Sequence, residues 1–137
     1  MSPAEQRVLI AEDDPSIRNL VRDALTRAGL ECDAVSDGLE AVEHLTRSRY
    51  SVLLLDLMMP RLDGISALKQ VAPDRWPANR SPIVLIMTAS TDLEPIAEMS
   101  EVVHMVIRKP FDILELAEII RECVAFSADG QRNASAS

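Results

Sequence analysis

Glu12, Asp13 and Asp14 stand together directly behind one apolar run, Asp56 closes a second, Thr88 a third, and Lys109-Pro110 follows a fourth. Carboxylates, a hydroxyl and an ammonium are the groups that a phosphoryl-transfer site needs. Glu12, Asp13 and Asp56 offer oxygen donors to Mg²⁺, with Mn²⁺ as an alternative. Mg²⁺ takes near-octahedral oxygen coordination, keeps several waters, and is usually held by one or two carboxylates plus phosphate oxygens. Without a cation, mutual repulsion among these acids predicts at least one raised pKa. In the reaction this set suggests, the Asp56 carboxylate attacks a phosphoryl group and becomes an acyl phosphate. Lys109 brings positive charge to the transferring oxygens. The Thr88 hydroxyl donates to a phosphate oxygen once one is in place, drawing its loop inward. Positioning and charge stabilisation carry most of such a transfer, so no general base is required.

Each residue alone also has a plain structural reading. An aspartate behind a strand is commonly a turn or cap residue. Asp14 before Pro15 reads as a helix N-cap rather than a ligand. Glu12 and Asp13 would pass for a solvated turn, Thr88 for a cap and Lys109 for a surface lysine. Their joint placement at successive strand ends separates the two accounts.

The elements that must position these residues are visible as apolar runs at 7–11, 31–35, 52–55, 83–87 and 104–107. The 52–55 run is unbroken because a central parallel strand has helices on both faces, whereas 31–35 is less hydrophobic, as an edge strand would be. Ile17, Leu20, Val21, Ala24, Leu25 and Ala28 recur at helical spacing behind Asp14-Pro15, and Gly29 stops that helix. Asp37 with Glu40 and Asp112 with Glu115 have capping-box spacing. The first opens a helix carrying Leu39, Val42 and Leu45; the second opens a last helix with Ile113, Leu116, Ala117, Ile120, Val124 and Phe126. A short third helix is expected over 65–71, behind a loop holding Pro60 and Gly64. Segment 72–82 is polar and proline-rich, with Trp76 expected to fold back over that helix. Asp92 or a neighbour caps a fourth helix, with Pro95 in its first turn.

Five alternations of strand and helix predict the α/β class, with a doubly wound, five-stranded parallel sheet in a three-layer α/β/α sandwich. Ligands in such sheets bind outside the carboxyl ends of the strands where the order reverses. The polar residues above fall at those ends. One domain is expected over 1–126, and the small polar tail, 127–137, is expected to be disordered.

The 137 residues suffice for a single domain burying roughly two-thirds of its unfolded surface. Net charge is −8 and only two of the 14 basic residues are lysines, so direct contact with nucleic acid is not expected. No stretch approaches the ~18 apolar residues of a membrane span, and the MSPAEQR start lacks the lead of a signal peptide. A cytoplasmic location without membrane insertion is the expectation. Cys32 and Cys123 lack metal-ligand spacing and read as reduced thiols. His44 and His104 are too isolated for a zinc site.

Four segments together, VLIAEDD at 8–14, LLLDLMMPRLDG at 53–64, IMTA at 86–89 and KPF at 109–111, resemble the response regulator receiver domain of bacterial two-component systems, the CheY-like superfamily. The resemblance runs from about 7 to 126. It implies a flavodoxin-like fold with strand order 2-1-3-4-5. It implies Asp56 as phosphoacceptor, Glu12 and Asp13 as Mg²⁺ ligands, and the Met58 backbone carbonyl completing the metal shell. Thr88 would be the switch hydroxyl and Lys109 the active-site lysine. The implied donor is a phosphohistidine on a sensor histidine kinase or a histidine phosphotransfer protein. The implied output is a downstream protein target, met on the face of the fourth helix, fifth strand and last helix. Catalysis would extend to the domain's own phosphorylation and slow dephosphorylation, not to a multiple-turnover metabolic reaction.

Three features depart from the family pattern. Glu12 stands where aspartate is usual, adding a methylene that shifts the metal or routes the contact through water. Val106, three before Lys109, replaces the tyrosine or phenylalanine that usually swings inward with the threonine. Reorganisation of the last strand is therefore expected to be small or differently transmitted. Val102-Val103 replace the usual Gly-Ala, and Val103 and Met105 belong either to the core or to an apolar surface. The Val106 departure keeps a second reading open, a phosphorylation-independent interaction module with a relic acidic site. A phosphohydrolase is disfavoured, since there is no Asp-x-Asp pair at the nucleophile and no cap domain to enclose a substrate. The unspecialised tail fits a stand-alone receiver acting through protein contacts.

Overall fold

The apolar runs form five strands in the computed structural model, which describes residues 7–59, 61–71 and 81–136. They are β1 (Arg7–Ala11), β2 (Glu31–Val35), β3 (Val52–Asp56), β4 (Ile83–Thr88) and β5 (Val103–Arg108). The helices are α1 (Pro15–Arg27), α2 (Gly38–Arg47), α3 (Gly64–Val71), α4 (Glu94–Ala97) and α5 (Ile113–Ala136). All neighbouring strands pair in parallel, in the order β2-β1-β3-β4-β5. This is the expected doubly wound, three-layer sandwich of flavodoxin-like order.

Alternate residues of the central strands divide between two cores. Leu9, Leu53, Leu55, Val84 and Ile86 pack with Ala41 and Leu45 of α2, Ile65 and Leu68 of α3, and Ile96 of α4. Val8, Ile10, Val52, Leu54, Leu85 and Met87 pack on the other face with Val21 and Leu25 of α1 and Leu116, Ile120 and Val124 of α5. Successive strand side chains point to opposite faces, so a sheet covered on both sides needs apolar residues at every position.

Helix α1 starts as its sequence predicts. Asp14 accepts from Ser16 N–H at 2.8 Å and Ile17 N–H at 3.3 Å, Pro15 follows it, and Gly29 takes a left-handed conformation (φ 86°) past the far end. Asp37 caps α2 through Glu40 N–H at 2.9 Å, but the Glu40 carboxylate reaches back to Ser36 N–H at 2.8 Å, one residue earlier than a strict capping box. Asp112 accepts from both Leu114 and Glu115 N–H at the start of α5. Asp92 accepts from Glu94 N–H at 3.1 Å, and α4 is a single turn behind it.

Not every expected core residue is inside. Leu20, Leu39 and Phe126 are exposed, because the stripe facing the sheet is narrower than their spacing suggests. Val103 packs against the α2–α3–α4 core while Met105 is exposed, so the apolar pair divides between core and surface. Helix α5 runs on to Ala136, through the segment expected to be disordered. Ala128, Ala134 and Ala136 have the highest helix propensity there, against one glycine, Gly130. Trp76 lies outside the described residues. Among the described residues no helix is long and apolar enough to cross a membrane.

Strand β5 pairs with β4 through a bulge: Val84 aligns with Val103 and Leu85 with Met105, leaving His104 as the extra residue. Val84 N–H, deprived of a ladder partner there, donates to His104 Nδ1 at 3.0 Å.

Candidate functional site

The chain winds from β1 outward to β2 and then back across to β3, so a crevice opens at the carboxyl ends of β1 and β3. Glu12 follows β1 and Asp56 ends β3. Backbone bonds continue the sheet past both strands. Glu12 N–H donates to the Val35 carbonyl at 3.1 Å and Leu57 N–H to the Met87 carbonyl at 3.0 Å. Lys109 N–H donates to the Thr88 carbonyl at 2.9 Å, which brings the lysine over the same edge. Arg18 reaches back from α1 and donates through Nη1 to the Glu12 carbonyl at 3.1 Å and the Asp13 carbonyl at 3.4 Å. The main chain of the acidic turn is thus fixed, and Glu12 Oε1 also accepts from Asp14 N–H at 3.3 Å.

Glu12 is fully buried and Asp56 is 4% exposed. Lys109 Nζ donates to both Glu12 oxygens, at 3.1 and 2.9 Å, and lies 3.3 Å from Asp56 Oδ2. One ammonium therefore serves two buried carboxylates, and the site keeps an excess of negative charge. Burial first, and then the neighbouring Glu12 charge, push the Asp56 pKa up to about 7. The Met58 N–H, 3.2 Å from Asp56 Oδ1, and Lys109 act in the opposite sense. Burial alone would lower the Lys109 pKa, but Glu12 and Asp56 outweigh it and hold the ammonium above its ordinary range.

Asp13 is exposed at the rim. One carboxylate oxygen from each of Glu12, Asp13 and Asp56 lies within 4.8 Å of the others, the one such acidic, histidine or cysteine group among the described residues. Three hard oxygen donors with surplus negative charge fit Mg²⁺ or Mn²⁺.

Thr88 is buried, and its Oγ1 accepts from Ser90 N–H at 2.9 Å. Its hydroxyl proton remains available to a further acceptor. Val106 is half-buried against the α2–α3–α4 core, in register with Ile86. Met58 is 69% exposed, and its N–H lies beside the Asp56 carboxylate. Cys32, Cys123, His44 and His104 take no part in the acidic group.

Several contacts carry no signal in the sequence, Arg18 on the Glu12 and Asp13 carbonyls among them. Lys109, expected to serve phosphate oxygens, pairs here with the Glu12 carboxylate and lies 3.3 Å from Asp56 Oδ2. Arg61, in the loop after β3, donates to Asp37 at the start of α2. Twenty-four positions separate these partners, and no local spacing signals such a pair.

The family model for the response regulator receiver domain matches residues 8–121. The chain belongs to that family. This receiver is 35% identical over 126 residues to the DNA-binding transcriptional regulator NtrC of Klebsiella pneumoniae, covering 90% of this chain and 26% of that protein. It is 30% identical over 118 residues to the sporulation initiation phosphotransferase F of Bacillus subtilis, covering 85% of this chain and 92% of that protein. The receiver therefore spans about a quarter of the NtrC length (26%) but nearly all of the phosphotransferase (92%). Its fold is similar to the receiver domain of a Pseudomonas aeruginosa PAO1 sensor histidine kinase, solved with a magnesium ion coordinated in the active site cleft. That comparison has a TM-score of 0.74 and 26% identity, and covers 88% of this chain and 98% of the other.

Proposed function

We propose that this receiver accepts a phosphoryl group on Asp56 from a phosphohistidine and relays the change through protein contacts. The observation that carries this reading is the buried Asp56 carboxylate, flanked by Glu12 and Lys109 with Asp13 within reach at the rim. An Asp56 carboxylate oxygen forms the new O–P bond while the P–N bond to the donor imidazole breaks, its electron pair staying on that nitrogen. Glu12, Asp13, Asp56 and the Met58 backbone carbonyl hold Mg²⁺, which when bound neutralises charge on the transferring oxygens. The related receiver with magnesium in its active site cleft supports a divalent cation at this place. Lys109 turns from Glu12 toward the phosphoryl oxygens. Thr88 donates its hydroxyl proton to one of them, and its bond to Ser90 N–H couples that event to the loop after β4.

The donor belongs to a sensor histidine kinase or a histidine phosphotransfer protein, and the reaction is cytoplasmic. The downstream protein meets the face of α4, β5 and α5, where Met105 is exposed. The domain over 1–126 suffices for the chemistry, which extends to its own slow dephosphorylation. Incubation with Mg²⁺ and acetyl phosphate should add one phosphoryl group by intact mass, absent in Asp56→Asn. An unmodified wild-type mass, under conditions that label a control receiver, overturns the reading.

Val106 favours one alternative, an interaction module indifferent to phosphorylation, because it lies half-buried against the core and offers no aromatic ring to swing. Equal partner affinity for the wild type, Asp56→Asn and the phosphorylated protein would support it.

A further inference from the structure

The loop between β3 and α3 carries Met58 and is gripped from outside the carboxylate site. Arg61 in this loop has a left-handed backbone, φ 64°, which a residue with a Cβ adopts only when its surroundings hold it there. Its guanidinium donates to Asp37 Oδ2 through Nε at 2.9 Å and through Nη2. Asp37 is 7% exposed and gives its other oxygen to Glu40 N–H as the cap of α2. Burial alone would raise the Asp37 pKa, but the Glu40 amide and the Arg61 guanidinium outweigh it and hold the carboxylate charged.

The approach of loop to helix is close. A Cβ on Gly38 would stand 1.9 Å from the Leu62 carbonyl oxygen. At the far end of the loop Gly64 N–H donates to the Leu57 carbonyl at 3.1 Å, and a Cβ on Gly64 would meet the Asp56 carbonyl oxygen at 2.4 Å. Leu57 and Met59 are buried on either side of the exposed Met58. The Met58 backbone is thus suspended between two anchored ends, next to the carboxylate that its N–H touches.

We propose that the Asp37–Arg61 ion pair is a positioning element of the phosphoacceptor site. By tying the β3–α3 loop to α2 it presets the Met58 backbone, and so sets how tightly the divalent cation is held. This rests on the reading of Glu12, Asp13 and Asp56 as the cation site. Neither residue touches the reacting atoms; both act through the loop, as partners behind metal ligands commonly do.

The test uses Arg61→Ala, Asp37→Asn and the double variant, since Asp37→Asn keeps a capping oxygen and removes the charge. Mg²⁺ affinity is measured by titration calorimetry without phosphodonor, and amide exchange over 57–64 is followed in metal-free protein. Each single variant should bind Mg²⁺ about tenfold more weakly, the double variant no more weakly than either single one. Exchange over 57–64 should quicken, Arg61→Lys should recover part of the affinity, and saturating Mg²⁺ should return the acetyl phosphate reaction close to the wild-type rate. Wild-type Mg²⁺ affinity in both single variants overturns the inference, whatever their stability or exchange. A wild type that neither binds Mg²⁺ nor takes a phosphoryl group overturns the underlying site reading as well.

Discussion

Lys109 is where the charge balance of the site is decided. Glu12 has no contact with water, and Lys109 is the counter-charge that its carboxylate meets. Removing one partner of a buried ion pair costs more than the pair contributes, because the remaining charge is stranded. Lys109→Met should therefore lower metal-free stability by about 3 kcal/mol, and excess Mg²⁺ should recover much of it. Asp13→Ala should behave differently. Its carboxylate is exposed, so metal-free stability should change by within about 0.5 kcal/mol, while Mg²⁺ affinity and phosphorylation rate fall together. Thermal melts of each variant with and without Mg²⁺ separate the two cases; an unaltered metal dependence in Asp13→Ala removes it from the ligand set.

The raised pKa of Asp56 has a definite sign in stability. Its folded value of about 7 lies above the ordinary unfolded value of ~3.9. Between those limits the native protein holds a proton, shared with its neighbour Glu12, that the unfolded chain has released. The associated stability is fully present below pH ~4 and is lost as pH rises through about 7. In metal-free buffer Asp56→Asn should lose less stability from pH 5 to 8, and at pH 8 should exceed the wild type by on the order of 2 kcal/mol. Urea titrations across that range decide it; parallel profiles for the two proteins count against the assignment. The carboxylates, hydroxyl and lysine were legible from their places after apolar runs. The lysine's resting partner was not, because it depends on how far each side chain reaches across the crevice.

Among the elements, strands were read to within a residue or two because a doubly covered sheet leaves unbroken apolar runs. Caps were read almost as well, since Asp14, Asp37 and Asp112 act within four residues of themselves. Helix faces were read less well. Leu20 and Leu39 satisfy the helical period yet point outward, because burial depends on the angle at which a helix lies on the sheet. The bulge in β5 was invisible, since it is a property of two strands together. His104 supplies there the acceptor that Val84 N–H would otherwise lack. His104→Ala should cost about 1–3 kcal/mol and speed exchange of the Val84 amide, whereas an unchanged amide would mean that water replaces the ring without loss.

For the molecule as a whole, topology followed from the alternation of elements together with the family resemblance, and the two cores follow from the topology. The continuation of α5 to Ala136 did not follow, because small polar residues and alanines suit a helix and a disordered tail almost equally. Side chains of the two cores share no partners across the sheet, so truncations on opposite faces should combine simply. Leu25→Ala and Leu68→Ala should each cost about 2–5 kcal/mol, and their sum should match the double variant to within about 0.5 kcal/mol. Denaturant titration of the three proteins measures this, and a larger discrepancy would show the faces to be coupled.

The sheet insulates its two cores from each other, and α1 is wired to the acidic turn at its edge. The sheet separates the α1–α5 core from the α2–α3–α4 core, but at its carboxyl edge α1 reaches the carboxylate crevice: Arg18 holds the Glu12 and Asp13 carbonyls, and Asp14, the cap of α1, donates its N–H to Glu12 Oε1 at 3.3 Å. A perturbation of α1 that moves Arg18 would therefore be felt at a distance, as a change in cation affinity.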